Sequence, residues 1–303
     1  METGKGVALV LCAALSAFEA DAQVPDLVYE TSPNLTHLAI RLQRIDPARL
    51  ERAAELVGAP PRQEKINVFL AAENTELAQS VPPWISGYAL ASRSAIVIFP
   101  ARVPSYPSSN LEEVLLHELA HVLIARTAGQ HPVPRWLNEG LALIAGGPWG
   151  LADRSHLTLA MLSDSGVRLS DLEAMFTGSR TSVRRAYALS GAFTQNLLQR
   201  HGPDTGARIL RGLGDNLSIE EAFQRATGSQ LQQAEDSFWR RYKLLYRWLP
   251  VLTSGATLWI GITFLALLAI RRRRRRDAEI RRRWEEEESR LLPVDDSPDE
   301  AVN

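Results

Sequence analysis

The sequence is poor in cysteine and carries almost no net charge. Its single cysteine, Cys12, excludes an intrachain disulfide. Lys and Arg number 34 against 35 Asp and Glu, so no overall field favours nucleic acid or an acidic substrate as a partner. No internal repeat is found in the sequence. The composition, 45% hydrophobic and 23% charged, is that of a globular protein and excludes disorder throughout the chain.

Residues 1–22 have the order of features that is typical of a secretory signal peptide. A weakly basic start with Lys5 is followed by an apolar run that is too short to span a bilayer. The segment ends in the small-x-small pattern of Ala20 to Ala22. The alternative is a buried N-terminal helix. We interpret the segment as a signal peptide, whose removal would also remove Cys12.

A second apolar segment, residues 249–270, contains no charged residue. It is long enough to cross a hydrocarbon core of about 30 Å. The alternative is a core helix of a soluble domain, but six consecutive arginines, Arg271–Arg276, follow directly. Arginines beside a span stay on the cytoplasmic side. The sequence therefore predicts one transmembrane helix and a charged cytoplasmic tail at residues 271–303.

Arginine is far more common than lysine, which occurs only at Lys5, Lys65 and Lys243. This bias is typical of a GC-rich bacterial genome. Together with the two end segments, it predicts a single-pass protein of the bacterial inner membrane. Its main domain would then lie in the periplasm or on the cell exterior.

The stretch between the two end segments, residues 23–248, is long enough for one compact domain. Strands are predicted at 65–71 and 95–99, and helices at 47–57, 111–127, 134–145, 157–163, 169–176, 184–200, 204–212, 218–226 and 229–247. This order predicts an α+β fold, with a small N-terminal β-sheet followed by a mainly helical part.

Two histidines four residues apart lie within the predicted helix at 111–127. One helical turn places His117 and His121 on the same face, where two imidazole nitrogens can bind one zinc ion. Glu118 lies beside them and can accept a proton from a zinc-bound water. The alternative is a solvated helix with two unrelated histidines. However, the surrounding residues are almost all apolar, which predicts a buried helix whose polar groups need partners.

The next predicted helix offers a third ligand. It follows a proline-bearing turn, and it carries Glu139 eighteen positions after His121. A turn of this length lets the helix fold back, so that the carboxylate reaches the zinc and one coordination position remains for water. A surface glutamate is the alternative, but Trp136 and Leu137 beside it favour burial.

The sequence resembles the gluzincin peptidases and, more closely, the peptidase-MA-like domains of exported bacterial proteins. The resemblance covers roughly residues 60–245 and depends on the joint order of several motifs. These are Leu116 to His121, Pro134 to Ala142, Tyr187 to Phe193 with His201 and Gly202, Ser218 to Phe223, and Trp239 to Tyr242.

The resemblance implies a zincin-like metallopeptidase fold with a zinc ion bound by His117, His121 and Glu139. It also implies that Glu118 is the general base and later the proton donor to the leaving amine. In related aminopeptidases the gap before the third ligand is one residue longer. No clear version of their glycine-rich motif for substrate N-termini is present, so an endopeptidase or a narrow processing enzyme fits better.

Gluzincins place a phenol or an imidazole after the third ligand to stabilise the oxyanion. Tyr187 opens the matching motif and is our prediction for this second catalytic role, with His156 and His201 as alternatives. A tyrosine that only packs against Leu189 and Phe193 is the structural alternative.

The function predicted from these features is hydrolysis of peptide bonds in a peptide or protein substrate by a membrane-anchored zinc metallopeptidase. The predicted strand Ala95–Ile98 is interpreted as an edge strand, either structural or one that pairs with an extended substrate. One alternative function is a catalytically inactive scaffold with the same fold. Another is the hydrolysis of a non-peptide amide. No nucleic-acid partner is predicted.

Overall fold

The computed structural model describes residues 25–60, 65–104, 107–147, 167–252 and 255–291. The chain divides into two compact units, Met1–Tyr242 and Lys243–Asn303. The predicted signal peptide and the predicted helix at 157–163 lie outside the described residues.

The first unit has an α+β architecture, as predicted. Its strands are β1 (Leu27–Thr31), β2 (Ile66–Leu70), β3 (Gly87–Leu90) and β4 (Ala95–Ile98). Its helices are α1 (Thr36–Gln43), α2 (Pro47–Val57), α3 (Glu76–Gln79), α4 (Leu111–Thr127), α5 (Arg135–Gly146), α6 (Leu172–Phe176), α7 (Arg180–His201), α8 (Thr205–Gly214) and α9 (Ile219–Thr227). Helix α10 (Leu231–Leu252) extends across the boundary between the units, and α11 (Gly255–Leu291) lies in the second unit.

The four strands form one sheet in the order β1-β2-β4-β3. Strands β1, β2 and β4 are parallel, and β3 runs antiparallel to β4. All four residues of β4 are buried, as expected for an interior strand. The interpretation of Ala95–Ile98 as an edge strand is therefore wrong, because β3 covers that side and is itself the edge.

Helix α4 is the central helix of the first unit and has the bounds that the sequence predicts. Asn110 caps it, since the side-chain oxygen of Asn110 accepts a hydrogen bond of 2.9 Å from the backbone N–H of Glu113. Most residues of α4 are buried, and apolar side chains surround the helix on every side. The helix packs against β3, β4, α2 and α5, and it is therefore held from several directions.

Helices α5 and α7 approach each other closely at a glycine. A Cβ atom placed on Gly140 would lie 2.1 Å from Oγ1 of Thr194 and 2.7 Å from the carbonyl oxygen of Ser190. No side chain fits at this position. The glycine therefore sets the distance between α5 and α7.

The second unit does not support the predicted transmembrane helix at 249–270. Across the described residues, no helix has both the length and the hydropathy that a membrane crossing requires. The predicted membrane anchor is therefore not supported.

Candidate metal centre and catalytic residues

The two histidines of α4 face each other across one helical turn. Their Nε2 atoms lie 3.2 Å apart, and their rings meet at 89° with centroids 4.8 Å apart. His117 is buried and His121 is half-buried. This arrangement directs one nitrogen of each ring toward a shared point.

Glu139 reaches the same point from α5. Its Oε2 atom lies 3.6 Å from Nε2 of His117 and 3.5 Å from Nε2 of His121. The three side chains form a group that could hold a metal ion, with one ligand atom each and all of these atoms within 4.8 Å of one another. The structure thus brings the three predicted ligands together.

The Oε2 atom of Glu139 is a buried acceptor that has no hydrogen-bond partner among the described residues. A buried, unpartnered carboxylate oxygen is costly unless a cation or a donor compensates it. A divalent ion between this oxygen and the two imidazoles satisfies all three groups at once. The donor set and the unpartnered oxygen therefore fit a metal ion.

The charge of Glu139 is favoured by its neighbours. Burial raises the pKa of Glu139, but His121, His117 and Arg135 outweigh that effect and hold the pKa below its ordinary value. Glu139 is thus available as an anionic ligand.

Glu118 is buried beside the three candidate ligands, and its carboxyl group has a different environment. Burial raises its pKa to about 7, while His121 lowers this pKa and the Glu139 carboxylate raises it. A Cβ atom placed on Gly87 would lie 3.1 Å from Cγ of Glu118 and 2.9 Å from Cγ1 of Val114. Strand β3 can therefore run directly beside Glu118 because residue 87 has no side chain.

Sequence comparison places this site within a known family. The family model described as the peptidase MA superfamily matches residues 47–244, which is more than half of the chain. The chain belongs to the peptidase MA superfamily. This membership implies a peptide or protein substrate, and members of this superfamily are generally metal-dependent. No curated protein matches the chain.

Two residues of this peptidase MA domain support the site but were not predicted from the sequence. The Oδ1 atom of Asn138 lies 2.8 Å from Nδ1 of His121. An amide oxygen only accepts hydrogen bonds, so the His121 tautomer that donates from Nδ1 to it leaves Nε2 without a proton and able to bind a metal ion. The Nε atom of Arg135 lies 3.6 Å from Oε1 of Glu139. Their proximity to Glu139 in α5 was the only sequence signal for either residue.

Tyr187 lies near the peptidase MA site. Its ring centroid is 6.4 Å from that of His117, and its ring makes an edge contact of 5.2 Å with Phe176. The alternative His201 lies at the far end of the same helix, about 21 Å further along the axis. His156 lies outside the described residues. Of these three, the structure places only Tyr187 beside the ligands.

Proposed function

We propose that the chain is a zinc metallopeptidase that hydrolyses peptide bonds at the site formed by His117, His121 and Glu139. The observation that carries this proposal is the convergence of these three side chains around the unpartnered Oε2 atom of Glu139. Membership in the peptidase MA superfamily supports the same class of reaction.

Zinc is favoured by the distances between the three proposed ligand atoms. The two histidine Nε2 atoms lie 3.2 Å apart, and Oε2 of Glu139 lies 3.5 Å from Nε2 of His121 and 3.6 Å from Nε2 of His117. Tetrahedral zinc with bonds of about 2.0–2.1 Å separates its ligand atoms by roughly 3.3 Å. Two imidazoles and one carboxylate, with a fourth position left open, are also the ligand pattern of catalytic zinc in peptidases.

In the proposed reaction, Glu118 transfers the protons. When bound, the zinc ion polarises the peptide carbonyl and makes a water molecule acidic near neutral pH. The Glu118 carboxylate takes a proton from the attacking water and then gives it to the nitrogen of the leaving amine. The exclusion of water around this buried carboxylate strengthens its interactions with both groups.

Tyr187 is proposed to stabilise the developing oxyanion. A phenolic O–H is a suitable donor to an oxygen that gains negative charge in the tetrahedral intermediate. The position of Tyr187 beside His117 supports this role.

The outer edge of β3, which pairs with no other described strand, is proposed to bind an extended peptide. The N–H of Phe99 donates a hydrogen bond of 2.8 Å to the carbonyl of Ser86, so Ser86 directs its backbone toward β4. In an antiparallel pair the bonding residues alternate, and Gly87 and Ala89 therefore direct their backbone groups away from β4. A substrate strand paired with Gly87 would lie beside Glu118.

Substitution of Glu118 by Gln tests the catalytic proposal. We expect E118Q to bind zinc and to lose about 10²–10⁴-fold in kcat on a fluorogenic peptide library, because Gln cannot accept the proton. Glu220→Gln, at an exposed position in α9, is the matched control and should retain wild-type activity. Unchanged activity in zinc-loaded E118Q would refute the role of Glu118 as base.

The same comparison addresses the rival functions. A scaffold protein would show no peptide cleavage in either variant, and proteomes of cells carrying wild type and E118Q would then be identical. An enzyme that hydrolyses non-peptide amides would also leave the peptide library uncleaved. The intact Glu118 and the complete ligand set favour the peptidase.

Export from the cytoplasm stays a prediction and is part of this proposal. It depends on residues 1–22, which lie outside the described residues. Cleavage after Ala22 predicts a mature N-terminus at Gln23. N-terminal sequencing of the protein from its native host would show whether residues 1–22 are removed, and an intact Met1 would contradict export.

A further inference from the structure

Arg135 lies in the first turn of α5, four residues before the ligand Glu139. Its Nε atom lies 3.6 Å from Oε1 of Glu139, and its Nη1 atom lies 3.8 Å from Oε1 of Glu173. The guanidinium carbon is 4.5 Å from the centroid of the Phe176 ring. One guanidinium thus contacts two carboxylates and one aromatic face.

The two carboxylate oxygens of Glu139 consequently have different surroundings. Oε2 faces the two imidazoles, whereas Oε1 faces the cation of Arg135. This ion pair attracts Oε1 toward the guanidinium, and the cation repels a metal ion from that oxygen. Glu139 is therefore prepared to bind a metal ion through a single oxygen.

The stacking of Arg135 on Phe176 limits where the guanidinium can go. Phe176 in turn makes an edge contact of 5.2 Å with Tyr187, whose ring lies 6.4 Å from that of His117. Arg135 thus connects one ligand, Glu139, with the aromatic side chains that pack beside another ligand. Glu173 is mostly exposed, so its contact with Arg135 contributes little to this placement.

We propose that Arg135 is a positioning residue of the metal centre, which orients Glu139 by holding Oε1 and leaves Oε2 to bind the ion. This inference rests on the proposed function, since it assumes that the centre binds zinc. Its role is separate from the chemistry, because Arg135 acts through Glu139 and not on the substrate.

Zinc affinity of the full-length chain tests this role without any activity assay. We expect Arg135→Gln to raise the zinc dissociation constant about 10- to 100-fold in competition with a chromogenic chelator, as loss of outer-sphere partners does in other zinc sites. Arg225→Gln is the matched control, because Arg225 forms an exposed ion pair with Asp215. Its zinc affinity should equal that of the wild type.

A conservative variant separates positioning from folding. Arg135→Lys keeps the charge but loses the planar fork that stacks on Phe176, and we expect an affinity between those of R135Q and wild type. Circular dichroism of the zinc-free proteins checks that each variant is folded. If R135Q does not fold, R135K alone tests the proposal. We then expect its zinc dissociation constant to be at least about threefold higher than that of the wild type.

A folded R135Q protein, or in its absence an R135K protein, that binds zinc as tightly as wild type would overturn the inference. That result would leave the proposed function intact. A wild-type protein that binds no zinc would instead refute the proposed function, so the two failures are distinguishable.

Discussion

At the scale of single residues, the metal centre depends on which nitrogen of each imidazole is free to bind. For His121, the Asn138 oxygen lies 2.8 Å from Nδ1 and favours the tautomer that donates from Nδ1, while Nε2 is directed toward Glu139 and His117. Spacing along α4 was sufficient to predict the histidines. It could not predict Asn138, since an asparagine beside a ligand has no distinctive sequence pattern.

Replacing Asn138 by Ala should weaken zinc binding about 10-fold or more, because the His121 ring loses the acceptor that fixes its orientation. Asn138→Asp retains an acceptor and should bind zinc nearly as tightly as the wild type. Isothermal titration with zinc would measure both affinities. Equal affinities for the Ala and Asp variants would show that this hydrogen bond does not orient the ligand.

The protonation of Glu118 should appear in the stability of the zinc-free protein. The pKa of Glu118 is about 7 in the folded protein, above its ordinary value of 4.5. Between these pH values the folded state binds a proton that the unfolded state has lost, so the free energy of unfolding falls as pH rises toward 7. The total fall is up to about 3 kcal/mol.

Urea denaturation of wild type and E118Q in excess chelator, at pH 5 and at pH 7.5, would isolate this contribution. E118Q cannot titrate at residue 118 and should gain stability relative to wild type at the higher pH. If the difference in unfolding free energy between the two proteins is the same at both pH values, the elevated pKa is refuted.

At the scale of secondary-structure elements, the site depends on how closely α5 packs against α7. Gly140 follows the candidate ligand Glu139, and a side chain at residue 140 would overlap Thr194. Gly140→Ala should therefore destabilise the fold by about 3 kcal/mol, in spite of the better helix propensity of alanine.

The matched control for Gly140→Ala is Gly261→Ala, since Gly261 is also helical, but no described atom outside its own stretch of helix lies within 4 Å of the added Cβ. Denaturation in urea with and without zinc would measure both changes. A Gly140→Ala protein as stable as wild type would mean that α5 and α7 can separate at little cost.

The helices that carry the candidate ligands were predictable from the sequence, and the strand beside them was not. Helix α4 has an unbroken helical pattern, a capping residue and an apolar surface, and its predicted bounds are those observed. Strand β3 has only four residues, Gly87–Leu90, without the alternation that identifies longer strands. The edge was therefore assigned to Ala95–Ile98, whose apolar run instead indicates an interior strand.

At the scale of the whole molecule, every described residue of the proposed site lies in the first unit, Met1–Tyr242. The family match, residues 47–244, ends close to the end of that unit. The sequence predicted this enzymatic part well, because its motifs are local. Its prediction of a transmembrane helix at 249–270 is not supported by the described residues.

A chain that stops after Leu252 should keep the metal centre, because no predicted ligand or catalytic residue follows that position. We expect the same zinc content and the same peptidase activity per molecule as in the full-length chain. Peptide cleavage by the two proteins at equal concentration would measure this. Loss of zinc from the shorter, folded chain would show that residues after Leu252 contribute to the site.

The central claim is that His117, His121 and Glu139 together bind one zinc ion. Elemental analysis of the purified full-length chain, beside Glu139→Ala, tests it most directly. We predict about one zinc per wild-type chain and very little in the variant, because two imidazoles alone bind the ion weakly. A wild-type protein without metal after mild purification, or a variant with undiminished zinc, would contradict the account.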